Sequence, residues 1–598
     1  MYPTTSEYDN AIYDNVIEIK GKIEFELIDI DAYVDAGAIT VTGENAISRK
    51  DETNDLVRDM SGKYMTYETN HTILDGSFVL PPKVAETQYQ VGWWSLAQSQ
   101  SDSTFSAPQI YTKPFLSSQN SIGLTIIFDP QSDEYAEEFD IEVFDGVTSI
   151  ANISVTGNTL VKYIWETNLS NYDKVVITIT KWAEPFRYAR ITELDYGIIK
   201  EYLDDDMASL TVLKEIELIG DELASDEISF VLDNSNQEFN ILNPTGIYPF
   251  LQKRQRIKPY YGLVLADDSV EWIPMGIYYL TEWNSDQGSL TASFVARDLL
   301  DLFEQQRYRK GKVQARTITN LLTDIFTDFG LSSVDYNIDS ALDSITVNGN
   351  IPIRSFRGAI QFVANAGQAV TYIDRLGVVQ VQQLSDTVAV DNIDFDNVAN
   401  IPKIALDKRI NTIEVAVNTY TSKASSENLY TGSVSFTGTK DIWVEYKEFP
   451  ATSVSSVVGG LGTLNSETSY GNASLLNITS TGIATITTTG TVQERAESIF
   501  TKVFDDIGDS EETVSIKLNN PLIASDSIAS DVADWIETVK SERFINEVNW
   551  NMNPAHEVGI DRVIVEDDFA VNKTSRIIKN EFRYNGGLNG RTVTQGGE

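Results

Sequence analysis

Ile17-Glu18-Ile19-Lys20-Gly21-Lys22-Ile23-Glu24-Phe25-Glu26-Leu27 sets apolar side chains against charged ones at every second position. Successive strand residues face opposite sides, so this is the pattern of a strand buried on one face. The same period recurs at Val175–Ile179, Leu213–Ile219, Ile228–Leu232, Ile257–Leu265, Ile273–Trp283 and Leu290–Val295. It returns at Thr412–Val417, Val514–Leu518, Arg543–Trp550, Val563–Glu566 and Ser575–Tyr584. The chain therefore reads as mainly β with some α.

Four segments follow the helical period instead. Thr317–Phe329 carries Ile318, Leu321, Leu322, Ile325, Phe326 and Phe329, with Gly330 as a C-cap. Ser355–Ala366 carries Phe356, Ala359, Ile360 and Val363, and Gly367 ends it. Gln493–Phe504 offers Ala496, Ile499, Phe500, Val503 and Phe504; Ser527–Val539 offers Ile528, Val532, Trp535, Ile536 and Val539. Single helices packed on sheets are expected, not a bundle.

Composition prunes the chemistry. At 598 residues the chain is long enough for about four domains. Its formal charge of −43 repels phosphate and anionic lipid, which weighs against a nucleic-acid or membrane-surface binder. With no cysteine, disulfides, thiolate metal sites and thiol nucleophiles are excluded. His71 and His556 are the only histidines. Met1–Asn10 has neither a basic nor an apolar leader region, and no run is long enough to span a membrane. Synthesis in a cytoplasm without a signal peptide is the expectation.

Texture divides the chain into 1–61, 62–203, 204–300, 301–390 and 391–598. The second part has short strands and frequent turn signals, the mark of a sandwich or jelly roll inserted into the β domain that 1–61 and 204–300 share. The fourth is α+β. The last is β-rich, with a Thr/Ser/Gly-rich stretch, Thr452–Thr491, expected to form long loops or a flexible hairpin.

Candidate chemistry is sparse. Adjacent carboxylates occur at Asp204–Asp206, Asp267–Asp268, Glu511–Glu512 and Glu566–Asp568, but an acidic chain makes such pairs by chance. Asp129, Asp133 and Glu134 offer calcium-type oxygens without the spacing of a helix–loop–helix calcium site. Gly459-Gly460-Leu461-Gly462 and Gly586-Gly587 lack the Lys-Ser/Thr of a phosphate loop and read as turns. No cofactor and no catalytic or metal residue is assigned. Trp93, Trp94, Trp182, Arg187 and Tyr188 are either sandwich core and rim or a glycan platform; adjacent Trp93 and Trp94 cannot both face one core. Two basic islands stand out: Lys253, Arg254, Arg256 and Lys258, then Arg307, Arg309, Lys310, Lys312 and Arg316. They are either subunit or partner contacts or an ordinary solvated face.

From Glu222-Leu223 and Ser225-Asp226-Glu227-Ile228-Ser229-Phe230 through Phe239-Asn240-Ile241-Leu242-Asn243-Pro244, Pro274-Met275-Gly276-Ile277-Tyr278-Tyr279-Leu280 and Ala296-Arg297-Asp298-Leu299-Leu300, the sequence resembles the tail hub (baseplate hub, tail-associated) proteins of bacteriophages of Gram-positive bacteria. Asn520-Pro521-Leu522-Ile523 and Phe582-Arg583-Tyr584-Asn585-Gly586-Gly587-Leu588 are similar to the hub's last barrel, and 354–384 to its middle domain. Leu74-Asp75-Gly76-Ser77-Phe78 and Val91-Gly92-Trp93-Trp94-Ser95 are similar to a jelly-roll module found inserted in such hubs.

The resemblance implies a homotrimer whose two barrel-like domains per subunit form a pseudo-sixfold ring. The ring would join the hexameric tail tube, through a distal tail protein, to a threefold tip beside the tape measure and receptor-binding proteins. The middle domains would close the channel, through which DNA passes without specific binding. The family's wall-degrading extensions have no counterpart before Glu598, so no enzyme is expected. The location implied is the virion, with the insert touching cell-wall glycan or a neighbouring tip protein. The competing readings are a carbohydrate-active enzyme of the glycoside hydrolase type and a glycan-binding adhesin, both compatible with β-sandwiches, aromatics and carboxylates.

Overall fold

The computed structural model describes residues 1–14, 16–54, 63–66, 68, 90–219, 222–243, 246–285, 288–385, 388–504, 513–567 and 573–597. The chain is mainly β and multidomain, as its period-two patterning predicts. One continuous fourteen-stranded sheet dominates. Its path runs Gly197–Tyr202, Ile19–Ile28, Arg256–Val264, Tyr278–Asn284, Thr291–Arg297, Glu227–Asp233, Met207–Glu215, Thr574–Tyr584, Leu588–Gly596, Phe544–Trp550 and Lys403–Leu406. The join between the N-terminal and C-terminal strands is antiparallel, with Leu210 opposite Tyr584 and Val212 opposite Phe582. A single apolar core spans both sides of that join, from Ile23 and Phe25 to Trp550 and Phe582. Phe230 stacks on Phe294 at 4.9 Å, and Phe25 meets Phe294 edge-on at 5.8 Å. Fully burying such a ring contributes roughly 1.5–3 kcal/mol.

The N-terminus is fastened to the far end of the chain. Thr5 caps the short helix Ser6–Ala11, the Tyr2 N–H donates to Ala555 O, and the Tyr8 hydroxyl donates to Asn553. Between Ile19–Ile28 and Gly197–Tyr202 lies a separate six-stranded sheet built on two long strands, Thr104–Ile127 and Lys162–Trp182. Its core holds Trp93, Trp182 and Tyr196 and reaches back to Ala32 and Ile39. The Thr125 hydroxyl donates to Gly197 O, so this sheet leans on the edge strand where the large sheet begins.

Three of the four expected helices form: Ile318–Phe329, Phe356–Ala366 and Asp526–Ser541. Thr317, Ser355 and Ser525 each accept a backbone N–H at the N-cap; such a cap contributes about 1 kcal/mol. Gly330 closes the first helix at φ +106°, a conformation only glycine adopts freely.

The fourth does not. Gln493–Phe504 belongs to the strand Ala473–Val503, which pairs with Arg409–Ser422 from Thr412↔Val503 to Ser422↔Gln493. Pairing along a ready partner strand overrides the helical spacing of its apolar residues. Thr452–Thr491 is not loop but a hairpin, the second of the two forms expected for it. Strands Glu427–Glu445 and Ala451–Ser469 flank Ala473–Val503 on either side. Both ends of each strand lie together: the Lys447 N–H donates to Leu429 O and the Ala451 N–H to Gly471 O. The strands must therefore double back. They bend near Gly438 (φ +99°) and Gly460 (φ +70°), enclosing Val444, Leu476, Ile478, Ala484 and Ile486. Gly459–Gly462 thus sits in a bent strand and not in the turn the sequence suggests, whereas Gly586-Gly587 does lie in the turn between two strands. The Thr- and Val-rich composition that reads as low complexity suits a pleated, half-buried surface.

Candidate interaction surfaces

The aromatic set proposed for glycan contact is spent on packing. Trp93, Trp94 and Trp182 are all essentially inaccessible. Trp93 enters the main core of the six-stranded sheet, donating Nε1–H to Gly43 O, while Trp94 enters a second small core with Ile47, Tyr64 and Val91. Two neighbouring strand residues can both be buried because each face has its own core. Trp182 Nε1 donates to Glu134 Oε2 at 2.8 Å, and Arg187 Nε to Glu134 Oε1 at 2.9 Å. Tyr188 is half-buried against Trp94. None of these three tryptophan faces is open to a sugar, which corrects the platform expectation for these three rings.

The same network absorbs two of the three calcium-type side chains, Asp129 and Glu134, while Asp133 is exposed. Arg190 Nη1 reaches Asp129 Oδ1 at 2.5 Å in a buried pair, and Glu134 is committed to Trp182 and Arg187. Among the described residues no three His, Asp or Glu side chains converge as a metal site.

The second basic island is largely engaged within the chain. Arg307 and Arg309 meet Glu445, at 3.5 and 2.8 Å. Lys310 pairs with Asp328, and Arg316 with Asp324 at 2.7 Å. With Lys312 and Tyr470, the Lys310–Asp328 and Arg316–Asp324 pairs line a cavity of about 360 Å³ beside the helix Ile318–Phe329. Lys312 Nζ lies 5.1 Å from the Tyr470 ring centroid. In the first island Lys258 pairs with buried Glu26 at 2.9 Å, and Arg256 lies beside Tyr279. Lys253 and Arg254 stand exposed in a turn, Arg254 reaching Gln305 at 3.4 Å.

Acid–base groups are held structurally. His71, Glu511, Glu512 and Asp568 lie outside the described residues. His556 is fully buried, with Nε2 2.9 Å from Asp391 and its ring against Trp550. Burial pushes Asp391 up, but the bonds from His556 and Tyr13 outweigh it and hold the carboxyl below its usual range. Asp204–Asp206 and Asp267–Asp268 sit in surface turns.

Sequence spacing gave no hint of the most perturbed pair, Asp226 and Asp298. Burial raises both, and the neighbouring Asp226 charge helps push Asp298 up to about 7. Asp298 caps the helix Leu299–Gln305 and accepts from Ser225 and the Asp226 N–H, while Asp226 accepts the Glu215 N–H and lies near Lys214. These are tertiary ties between strands.

No family model matches this chain, and no curated protein matches it. Among solved structures it is similar to a tail protein from Neisseria meningitidis: 11% identity, 66% of this chain, 93% of that one, TM-score 0.39. A 43 kDa tail protein of prophage MuSo2 from Shewanella oneidensis is similar at 10% identity over 66% of this chain and 94% of that one, TM-score 0.36. A prophage tail protein from Listeria monocytogenes is similar at 9% identity over 66% and 91%, TM-score 0.36. No helix among the described residues is long and apolar enough to cross a membrane.

Proposed function

We propose that this chain is the structural hub of a bacteriophage tail tip or baseplate, a non-enzymatic homotrimer located in the virion. It would join a hexameric tail tube, through a distal tail protein, to a threefold tip that includes receptor-binding proteins, and surround the channel occupied by the tape measure and then by DNA. The observation that carries this reading is the pairing of Met207–Glu215 with Thr574–Tyr584. It fuses an N-terminal and a C-terminal β half into one sheet over one core. Three chains of two β halves present six such units, which is the arithmetic needed to match a sixfold tube to a threefold tip. The net charge of −43 suits a channel that DNA must leave, because trapping DNA requires cations that neutralise phosphate.

The test is the mass of the full chain by light scattering over a range of concentrations, with projection images of the particle. A species of three 66.6 kDa chains with six β units around a channel is expected. A monomer at every concentration that also cleaves purified cell wall would overturn the hub in favour of a carbohydrate-active enzyme.

A further inference from the structure

In the five-stranded sheet that holds Ala473–Val503, Arg409–Ser422 and Thr513–Asn519, the flanking strands Glu427–Glu445 and Ala451–Ser469 stop short of the last residues of Ala473–Val503, which leaves two unpaired edges among the described residues at that end. Between Glu494 and Val503 the first strand pairs only with Arg409–Ser422 among the described residues, and Thr513–Asn519 pairs only with that same central strand. One face of this sheet is covered by the helix Asp526–Ser541: Phe500, Ile516 and Leu518 share its core with Ile536, and Lys502 reaches Asp534 and Glu537. The other face is open. Ile499 is 61% exposed and Val503 59%, large values for β-branched apolar side chains on a sheet.

The direction of the backbone groups follows from one bond. The Phe504 N–H donates to Asn411 O at 3.0 Å, and the pairing register is unbroken from there to Gln493. Alternate residues of an antiparallel strand direct their N–H and C=O to opposite sides. Phe500 and Lys502 therefore bond the central strand, while Glu497, Ile499, Thr501 and Val503 direct theirs outward. On the other edge Ser515, Lys517 and Asn519 point outward by the same reasoning. An edge with exposed apolar residues and no proline is a template for another strand.

We infer that these two edges are complementary halves of one interface between copies of this chain. The strand Thr513–Asn519 of one copy adds to the edge Glu497–Val503 of the next. In the sheet Thr513–Asn519 runs parallel to the central strand and Gln493–Val503 antiparallel to it, so a second copy continues the sheet in antiparallel register. Lys517, 75% exposed and paired with Glu414 of its own chain at 2.8 Å, comes beside the strand bearing Thr501, and Ile499 and Val503 are covered. Because the two edges differ, the contact is heterologous and can close a ring. The choice of three copies for that ring rests on the hub reading above; the pairing of the edges does not.

The absence of cysteine makes the test clean. Glu414 faces Thr501 on one side and Lys517 on the other, so two strand spacings separate these residues within one chain. That is about 10 Å between Cα atoms, beyond the roughly 7 Å a disulfide spans. Full-length Thr501→Cys/Lys517→Cys, oxidised with diamide, is therefore expected to cross-link only between copies, giving covalent oligomers up to the trimer. Either single variant should stay at one chain. Thr501→Pro, which removes an outward N–H and leaves the ladder intact, should shift the light-scattering mass from three copies to one. A trimer that neither cross-links nor responds to Thr501→Pro would overturn this interface and leave the hub standing. A wild-type chain that is monomeric throughout, with a Thr501→Cys/Lys517→Cys variant that cross-links at high concentration, would support the edge pairing and sink the trimeric hub.

Discussion

Gln493–Phe504 and Asp526–Ser541 touch each other and carry the same kind of apolar stripe, yet one is a strand and the other a helix. Asp526–Ser541 starts with Ser525, whose hydroxyl accepts the Ile528 N–H, and buries Val532, Ile536 and Val539. Gln493–Phe504 has no such cap and follows a run of Thr and Ile that is already extended. It also meets a partner, Arg409–Ser422, across every position from Val503 to Gln493. Helical spacing is thus a necessary cue and not a sufficient one. A start signal decides in one case and a neighbouring strand in the other. The cost of the strand is that only half the stripe is buried: Phe500 faces the helix, and Ile499 and Val503 face outward.

Substitutions can break this contrast. The largest effect is expected from Phe500→Pro, which removes a ladder N–H and a packed ring, roughly 4 kcal/mol in urea unfolding. Thr501→Pro beside it should cost less than a quarter of that; equal costs would mean the strand alternation has been assigned to the wrong residues. Ile536→Ala, at a fully buried position, is expected to cost about 3 kcal/mol. Ser525→Ala should remove about 1 kcal/mol by uncapping the helix, and circular dichroism should report the loss in helix signal alone. Ile499→Ala in the isolated monomer should stay within about 0.5 kcal/mol, since its side chain is mostly in water. A larger loss there would mean that the outward face is covered even within one chain.

Much of the fold was legible before any coordinates. Alternation located the strands through Ile17–Leu27, Ile228–Leu232 and Thr412–Val417, and helical spacing located three helices, with Gly330 and Gly367 marking the ends of two. The functional surfaces were less legible, for a physical reason that differs from residue to residue. Trp93 and Trp94 looked as though one of them must be free, but each strand face meets a separate core. Arg309, Lys310 and Arg316 looked available, but Glu445, Asp328 and Asp324, the first of them more than a hundred residues away, fold back to meet them. Asp226 and Asp298 gave no signal because their coupling exists only across paired strands.

By itself the sequence determined the class of protein: an acidic, cysteine-free, mainly β chain in which side-chain alternation, a local property of the strand, states where each strand has an inside. Only the tertiary structure decided which strands are neighbours and which edges remain unpaired. Hydrogen-bonding partners in a sheet are chosen across hundreds of residues by register and burial, and no local pattern at Gln493–Val503 or Thr513–Asn519 records whether a partner will be there.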